Sequence, residues 1–110
     1  METTRQKKVS RLLQKELGQI LQHRSAELGG KLITVTTVRI SPDLSVAKIY
    51  LSIFPPKDND KTLAAIKETV SQIRHELGNI VRNQLRIVPE LSFFIDDSLD
   101  YIEKIETLLK

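Results

Sequence analysis

Three arginines and one glycine recur at four-residue intervals in the second half of this 110-residue sequence, at Arg74, Gly78, Arg82 and Arg86. If the segment is helical, this spacing places the four positions on one ridge. Arginine forks grip phosphate oxygens in two-point contacts, and glycine lets a sugar-phosphate chain approach the helix backbone. The ridge indicates RNA binding; the alternatives are a solvated face for the arginines and close packing or a bend for the glycine.

A second basic group occupies the first predicted helix, and one further lysine lies on a predicted strand. These residues complete the predicted RNA-binding set: Lys7, Lys8, Arg11, Lys15 and Lys48. Tyr50, on the polar face of the strand beside Lys48, is the one candidate for stacking on a base, because strand phenylalanines are usually core. The pattern favours recognition of the RNA backbone and shape over readout of bases.

The net charge of +3 is unevenly distributed along the chain. Residues 1–89 hold 15 Lys and Arg against 8 Asp and Glu, a net charge of +7, whereas residues 90–110 hold 2 against 6, a net charge of −4. A basic body with an acidic end favours one face for a polyanion and another turned away from it. A solvated mixture of charges is the alternative interpretation.

Residues that could carry catalysis are scarce. The sequence has no cysteine, and its two histidines, His23 and His75, are isolated, which indicates neither a nucleophilic triad nor a histidine metal cluster. Asp96, Asp97 and Asp100 could form a carboxylate metal site, but adjacent carboxylates before a helix more often cap it. We therefore expect no enzyme activity, no metal, no cofactor and no small-molecule substrate.

Length and composition bound the class of protein. With 40% hydrophobic and 28% charged residues, the chain is expected to form a single soluble domain over residues 1–110. It has no apolar run long enough to cross a membrane and no signal-like segment after its charged start. These features predict a cytoplasmic protein with no membrane partner.

Apolar periodicity predicts an α+β fold in the order helix, strand, strand, helix, helix, strand, helix. A break at Gly29–Gly30 follows the first helix, and β-branched residues predict a strand over 32–40. Its apolar face changes between Val35 and Val38, which predicts a bulge near Thr36–Thr37 or burial on both faces. A short turn and a second strand complete a predicted hairpin.

A helical pattern covers about residues 60–85, with Asp58 or Asp60 as the predicted cap. A straight helix of that length would project from so small a domain, so we expect a bend at Ser71 or Gly78. The remaining predicted elements are a strand over 91–96, in which Phe94 belongs to a second, partly covered face, and a last helix capped by Asp97 or Ser98.

Three stretches of the sequence together match the pattern of one bacterial family. They are Lys8-Val9 through Glu16-Leu17; Val35-Thr36 with Val38, Ser41 through Ser45 and Ala47 through Ser52; and Leu85 through Phe93 with Asp96-Asp97-Ser98. With these stretches the chain resembles ribosome-binding factor A over nearly its whole length. The third stretch is the most specific.

The resemblance implies a type II KH-like fold, with helices packed on a three-stranded sheet and a kinked helix pair before the last strand. It also implies a monomer that binds free 30S ribosomal subunits and precursor 16S rRNA, assists maturation and 5′-end processing, and matters most in the cold. The chain lacks the Gly-x-x-Gly loop of RNA-binding KH domains, and Thr69-Val70-Ser71 stands where the family has Ala-x-Gly. It therefore departs from the family at the kink.

Two other functions remain open. A protein–protein adaptor would dock through the exposed side of the first helix without touching RNA, and its binding would tolerate high salt and ribonuclease. A hydrolase built on Asp96, Asp97 and Asp100 would show metal-dependent activity that alanine substitution removes.

Overall fold

The computed structural model describes residues 3–96, in which three helices and three strands follow the predicted order. The helices are α1 (Thr4–His23), α2 (Asn59–Glu68) and α3 (Val70–Val81), and the strands are β1 (Leu32–Ile40), β2 (Val46–Phe54) and β3 (Glu90–Ile95). This order confirms the α+β, type II KH-like fold. The predicted last helix, with its cap at Asp97 or Ser98, lies outside the described residues.

The three strands form one sheet in the order β1-β2-β3. The β1–β2 hairpin is antiparallel, whereas β2 and β3 are parallel and are joined through the α2–α3 crossover that a parallel pair requires. Ala47, Ile49 and Leu51 of the central strand have no exposed surface. The predicted buried face of the second strand is therefore confirmed, and it forms the centre of the core.

A bulge at Thr36 decides which residues of β1 face the core. Val35 pairs with Leu51 and Thr37 pairs with Tyr50, so Thr36 has no partner in the register. Without the extra residue, Val35 and Arg39 would lie on the same face of the sheet. The bulge reverses the alternation, so that Arg39 lies on the face opposite Val35. The bulge predicted near Thr36–Thr37 is confirmed.

Helix α1 covers the outer edge of β1 through two glutamines. Gln6 completes a capping box with Thr3, and its side-chain amide donates to the carbonyl oxygen of Ile40 at 2.9 Å. The amide of Gln14 donates to the carbonyl oxygen of Val35 at 3.2 Å. These bonds satisfy carbonyls of an edge strand that would otherwise face solvent or another chain.

The kink between α2 and α3 lies at Thr69, so the predicted bend at Ser71 or Gly78 is wrong. Thr69 has φ −103° and ψ 10°, outside the helical range, and its hydroxyl donates back to the carbonyl oxygen of Ile66 at 3.0 Å. A threonine bonded in this way interrupts the helix, whereas Ser71 and Gly78 both lie inside α3. The helical segment also ends at Val81, short of the predicted residue 85.

The start of α2 also differs from the prediction. Asp58 occupies the cap position, but its backbone is left-handed with φ 61° and its side chain makes no capping hydrogen bond. Asp60 lies within the first turn, where a carboxylate complements the helix dipole without capping the helix.

We predict that Gln6→Ala lowers the free energy of unfolding by about 1–3 kcal/mol, because it removes half of the capping box and leaves a buried carbonyl without its donor. Chemical denaturation measures the change. Gln19→Ala, on an exposed position of the same helix, is the control and should change stability by less than about 0.5 kcal/mol. Equal stability of the two variants would contradict this role for Gln6.

Candidate nucleic-acid interface

The solvent side of α1 carries a row of three cations, Lys8, Arg11 and Lys15, which we call the α1 stripe. All three side chains are exposed. They are three and four residues apart and so lie on one side of the helix. The opposite side holds the buried Leu13 and Leu17. The predicted cations thus form one continuous basic edge, and Lys7, also exposed, borders it.

The charges of the α1 stripe are not neutralised by any carboxylate of residues 3–96. Both ion pairs in that range belong to Arg24, which contacts Glu27 at 3.2 Å and Glu76 of α3. Arg24 also donates to the side chain of Gln72 at 3.2 Å, and only 13% of its side chain is exposed. Arg24 therefore fastens the end of α1 to α3, and no carboxylate of residues 3–96 forms an ion pair with the stripe.

Arg5 and Arg86 meet in a cleft between the first turn of α1, the β1–β2 turn and segment 85–89. Both side chains are exposed. Arg86 was predicted as an RNA-binding residue, whereas Arg5 was absent from that set. The group of basic residues in the first helix was the available signal, and the approach of segment 85–89 to the start of α1 was not visible in the sequence.

The β1–β2 turn forms one wall of this cleft and is held by Asp43. Its carboxylate oxygen Oδ1 accepts from the hydroxyls of Ser45 and Ser41 at 2.7 and 2.8 Å and from the backbone N–H of Ser45 at 3.1 Å. These bonds, the one from the Ser45 hydroxyl first, hold the pKa of Asp43 below its ordinary value of 3.8. They also stabilise the turn around Leu44, whose φ is 61°.

The predicted ridge of Arg74, Gly78, Arg82 and Arg86 is not one helical ridge. Helix α3 ends at Val81 with Arg82 as its C-cap, and Arg86 follows in a non-helical segment. The four-residue spacing therefore stops having a helical meaning after Arg82. Arg82 remains exposed, and Arg86 belongs to the cleft that contains Arg5.

Arg74 holds the segment after α3 in place, and Gly78 adjoins it. The guanidinium of Arg74 donates through Nε to the carbonyl oxygen of Pro89 at 3.0 Å and through a terminal nitrogen to that of Val88 at 2.6 Å. A Cβ added at Gly78 would lie 3.4 Å from Cγ2 of Val88. This is the limit of ordinary van der Waals contact, so Gly78 lies beside the segment, and the packing does not require a glycine there.

Lys48 lies apart from the other predicted cations. It pairs in register with Arg39 on the face of the sheet that the helices leave uncovered, and the two line a shallow depression with Thr37, Tyr50 and Asp96. The bulge at Thr36 puts Arg39 on this face. The predicted RNA-binding residues are therefore distributed over three places: helix α1 with the adjoining cleft, helix α3 with its C-cap, and the uncovered face of the sheet.

Other chemistry is not supported within residues 3–96. That range contains no group of three or more side chains able to hold a metal ion, and Asp97 and Asp100 of the carboxylate alternative lie outside it. Of the helices described, none is long and apolar enough to cross a membrane.

Comparison with known proteins decides the family. The family described as Ribosome-binding factor A matches residues 5–109. The chain belongs to the ribosome-binding factor A family. Ribosome-binding factor A of Christiangramia forsetii is 51% identical over 111 residues, which cover 99% of this chain and 85% of that protein. The protein of the same name from Staphylococcus carnosus is 37% identical, with 100% and 95% covered.

Solved structures of ribosome-binding factor A share the fold. The crystal structure of the Thermus thermophilus protein has a TM-score of 0.70 at 24% identity, covering 82% of this chain and 93% of that one. A second set of coordinates, a homology model of the Thermus thermophilus factor fitted into a cryo-electron microscopy map of a 30S complex, has a TM-score of 0.63 at 28% identity, with 78% and 89% covered.

The most specific ribosome-binding factor A stretch, 85–93, alternates between anchoring and exposed residues. Pro89 is fully buried and Phe93 is 2% exposed, whereas Ile87 is 76% exposed. Arg74 bonds the successive carbonyl oxygens of Val88 and Pro89. The stretch that identifies the family is thus a pinned segment that presents Arg86 and Ile87 to solvent.

We predict that the Asp43 carboxyl titrates with a midpoint below 3.8 and that Ser45→Ala raises this midpoint, because the Ser45 hydroxyl is the largest cause of the lowered pKa. A lowered pKa in the folded state adds stability above the ordinary value, and this stability is lost as the pH falls through the lowered one. Carbon-detected NMR titration of both proteins is the measurement. An unchanged midpoint in Ser45→Ala would contradict the assigned cause.

We also predict that Arg74→Lys loosens segment 85–88, because an ammonium does not reproduce the two-point grip of the guanidinium on two carbonyls. The exposed setting limits the loss of stability to about 1 kcal/mol. Amide hydrogen exchange should accelerate at Ile87 and Val88. Arg82→Lys, at an exposed arginine with no hydrogen bond in the described structure, is the control and should leave exchange unchanged.

Proposed function

We propose that this protein is a non-enzymatic assembly factor that binds free 30S subunits and precursor 16S rRNA in the cytoplasm. It assists maturation of the subunit, including processing of the 5′ end of the rRNA, and is needed most in the cold. It acts as a monomer and as one domain over residues 1–110. Membership of the ribosome-binding factor A family supports this proposal, and the Thermus thermophilus factor fitted into a 30S complex supports the partner.

The observation that carries the proposal is the unneutralised α1 stripe. Lys8, Arg11 and Lys15 are exposed and form no ion pair with a carboxylate of residues 3–96. Cations in this state release the counterions of a nucleic acid when they bind its phosphates, which favours association. An adaptor surface would need apolar anchors at its centre, and the exposed side of α1 is cationic there.

The residues that would contact rRNA phosphates lie at one end of the molecule and along the stripe: Arg5, Lys7, Lys8, Arg11, Lys15, Arg82 and Arg86. Arg74 acts as a positioning residue, because it fixes the segment that carries Arg86, and Gly78 lies beside that segment. Lys48 belongs to a separate surface on the sheet. Bound in this way, the rigid domain would hold an immature rRNA arrangement or exclude other ligands.

Sedimentation of cell extract tests this proposal, and we expect the protein in the free 30S fractions and not with translating ribosomes. Ribonuclease should release it, and the log of its affinity should fall with the log of salt concentration at a slope of roughly −4 if about five phosphates are neutralised. Binding that resists both ribonuclease and high salt would instead identify an adaptor.

Charge reversal at Arg86 tests whether 30S binding depends on the cleft itself or only on the net charge of the protein. Arg86→Glu should weaken 30S binding and reduce the salt slope by about one, because one phosphate contact is lost. Thermal stability should be unchanged, since the side chain is exposed. Lys61→Glu on α2 makes the same change in net charge at another exposed lysine and should bind like the parent. Equal weakening in both variants would exclude a specific role for the cleft.

A further inference from the structure

The face of the sheet that points away from the helices is uncovered within residues 3–96, and we call it the open face. Large apolar side chains on it remain accessible: Leu32 is 53% exposed, Phe54 62% and Phe94 40%. The generalisation that strand phenylalanines are usually core holds for Phe93 and fails for Phe54, whereas Phe94 lies on the second, partly covered face that the alternation of the third strand predicts. Packing against the helices of residues 3–96 does not account for these side chains. Accessible apolar patches of this kind mark interaction sites.

Two of the aromatic rings on the open face form a pair. Tyr50 of β2 and Phe94 of β3 are register neighbours, with ring centroids 5.4 Å apart and ring planes inclined by 27°. This offset-stacked arrangement holds both rings on the rigid sheet. Nucleic-acid bases stack on such rings in single-stranded RNA recognition.

Two cations adjoin the aromatic pair. Lys48 lies two residues before Tyr50 on β2 and pairs with Arg39 on β1, and both side chains are exposed. Positions two apart on a strand are roughly 7 Å apart, so Lys48 lies within one nucleotide's reach of the Tyr50 ring. A base on the rings and a phosphate on the cations can therefore be bound at the same time.

The acidic residues of the open face lie at the two ends of β3, which Glu90 begins and Asp96 follows. The carboxylate of Asp96 is 2.5 Å from the hydroxyl of Thr36, which is also 3.2 Å from the backbone oxygen of Tyr50. Thr36 thus links the Asp96 carboxylate to the backbone of β2, and Asp96 lines the same depression as Lys48, Arg39 and Tyr50. The depression holds two cations against this one hydrogen-bonded acid, so with the adjoining rings it forms a surface suited to an anionic aromatic ligand.

We propose that the open face binds single-stranded RNA, with a base stacked on Phe94 and Tyr50 and the adjoining phosphate contacting Lys48 and Arg39. The ligand class follows from combining a stacked ring pair, of which Phe94 is 40% exposed and Tyr50 half-buried, with two exposed cations, since a membrane or an acidic peptide would leave the stacking surface unused. The proposal rests on the proposed function for the identity of the RNA, an unpaired stretch of rRNA. This surface is separate from the α1 stripe.

The test uses the full chain and a fluorescein-labelled oligouridylate of twelve nucleotides, with an abasic strand of the same length as the second probe. Phe94→Leu keeps the apolar bulk and removes the ring, so its affinity for oligouridylate should fall about 5- to 150-fold. Phe94→Tyr keeps an aromatic ring and should bind oligouridylate like the parent. Lys48→Gln should reduce the salt slope by about 0.7.

Phe54→Leu is the matched control, because Phe54 is exposed on the same face but outside the aromatic pair. It should bind oligouridylate like the parent, and binding of the abasic strand should be the same for the parent and Phe94→Leu. Equal affinity of Phe94→Leu and the parent would overturn the proposal, as would an equal loss in Phe54→Leu.

NMR of the free full chain tests the rival occupants. Nuclear Overhauser contacts from the Phe94 ring to residues 97–110, or concentration-dependent shifts confined to the open face, would assign it to the chain's own end or to a second copy and overturn the proposal. The oligouridylate and NMR measurements do not involve ribosomes. If the parent chain failed to sediment with 30S subunits, the proposed function would be wrong, but the test of the open face would keep its meaning.

Discussion

The structure depends on a sheet that the described helices cover on one side only. Ala47, Ile49 and Leu51 of the central strand have no exposed surface, and every residue between them points to the opposite face. Burial on one side therefore fixes what the other side displays. The same alternation that builds the core places Lys48 and Tyr50 on the surface, so a change of register would lose the core and the surface together.

Residue type alone did not reveal what each arginine does. Arg24 is almost buried and pairs with acids on two elements, Arg74 bonds backbone carbonyls, and Arg86 is exposed. An arginine whose donors are occupied within the fold has little left for a phosphate, since its value to a ligand lies in free donors. The basic character of the chain thus divides into cations that build the protein and cations that face solvent.

The sequence predicted what depends on neighbouring residues and missed what depends on distant ones. The bounds of β1, its bulge and the buried face of β2 follow from alternation over a few positions. The kink at Thr69 depends on the hydrogen bond from its hydroxyl to the carbonyl oxygen of Ile66. Residue type alone did not identify this position, because Ser71 and Gly78 were equally good candidates for a bend. The convergence of Arg5 with Arg86, and the bonds of Arg74 to residues 14 and 15 positions away, require the tertiary fold.

The half-buried guanidinium group of Arg24 has a consequence for how the molecule could recognise RNA. It joins the end of α1 to Glu76 and Gln72 of α3, so the two helices that carry exposed cations are locked at their junction. Charges on a rigid frame keep fixed separations, and a flexible polyanion must adopt the matching phosphate geometry before it gains all of the contacts. If the α1 stripe binds rRNA as proposed, the spacing of its cations would favour one folded state of the RNA without reading any base.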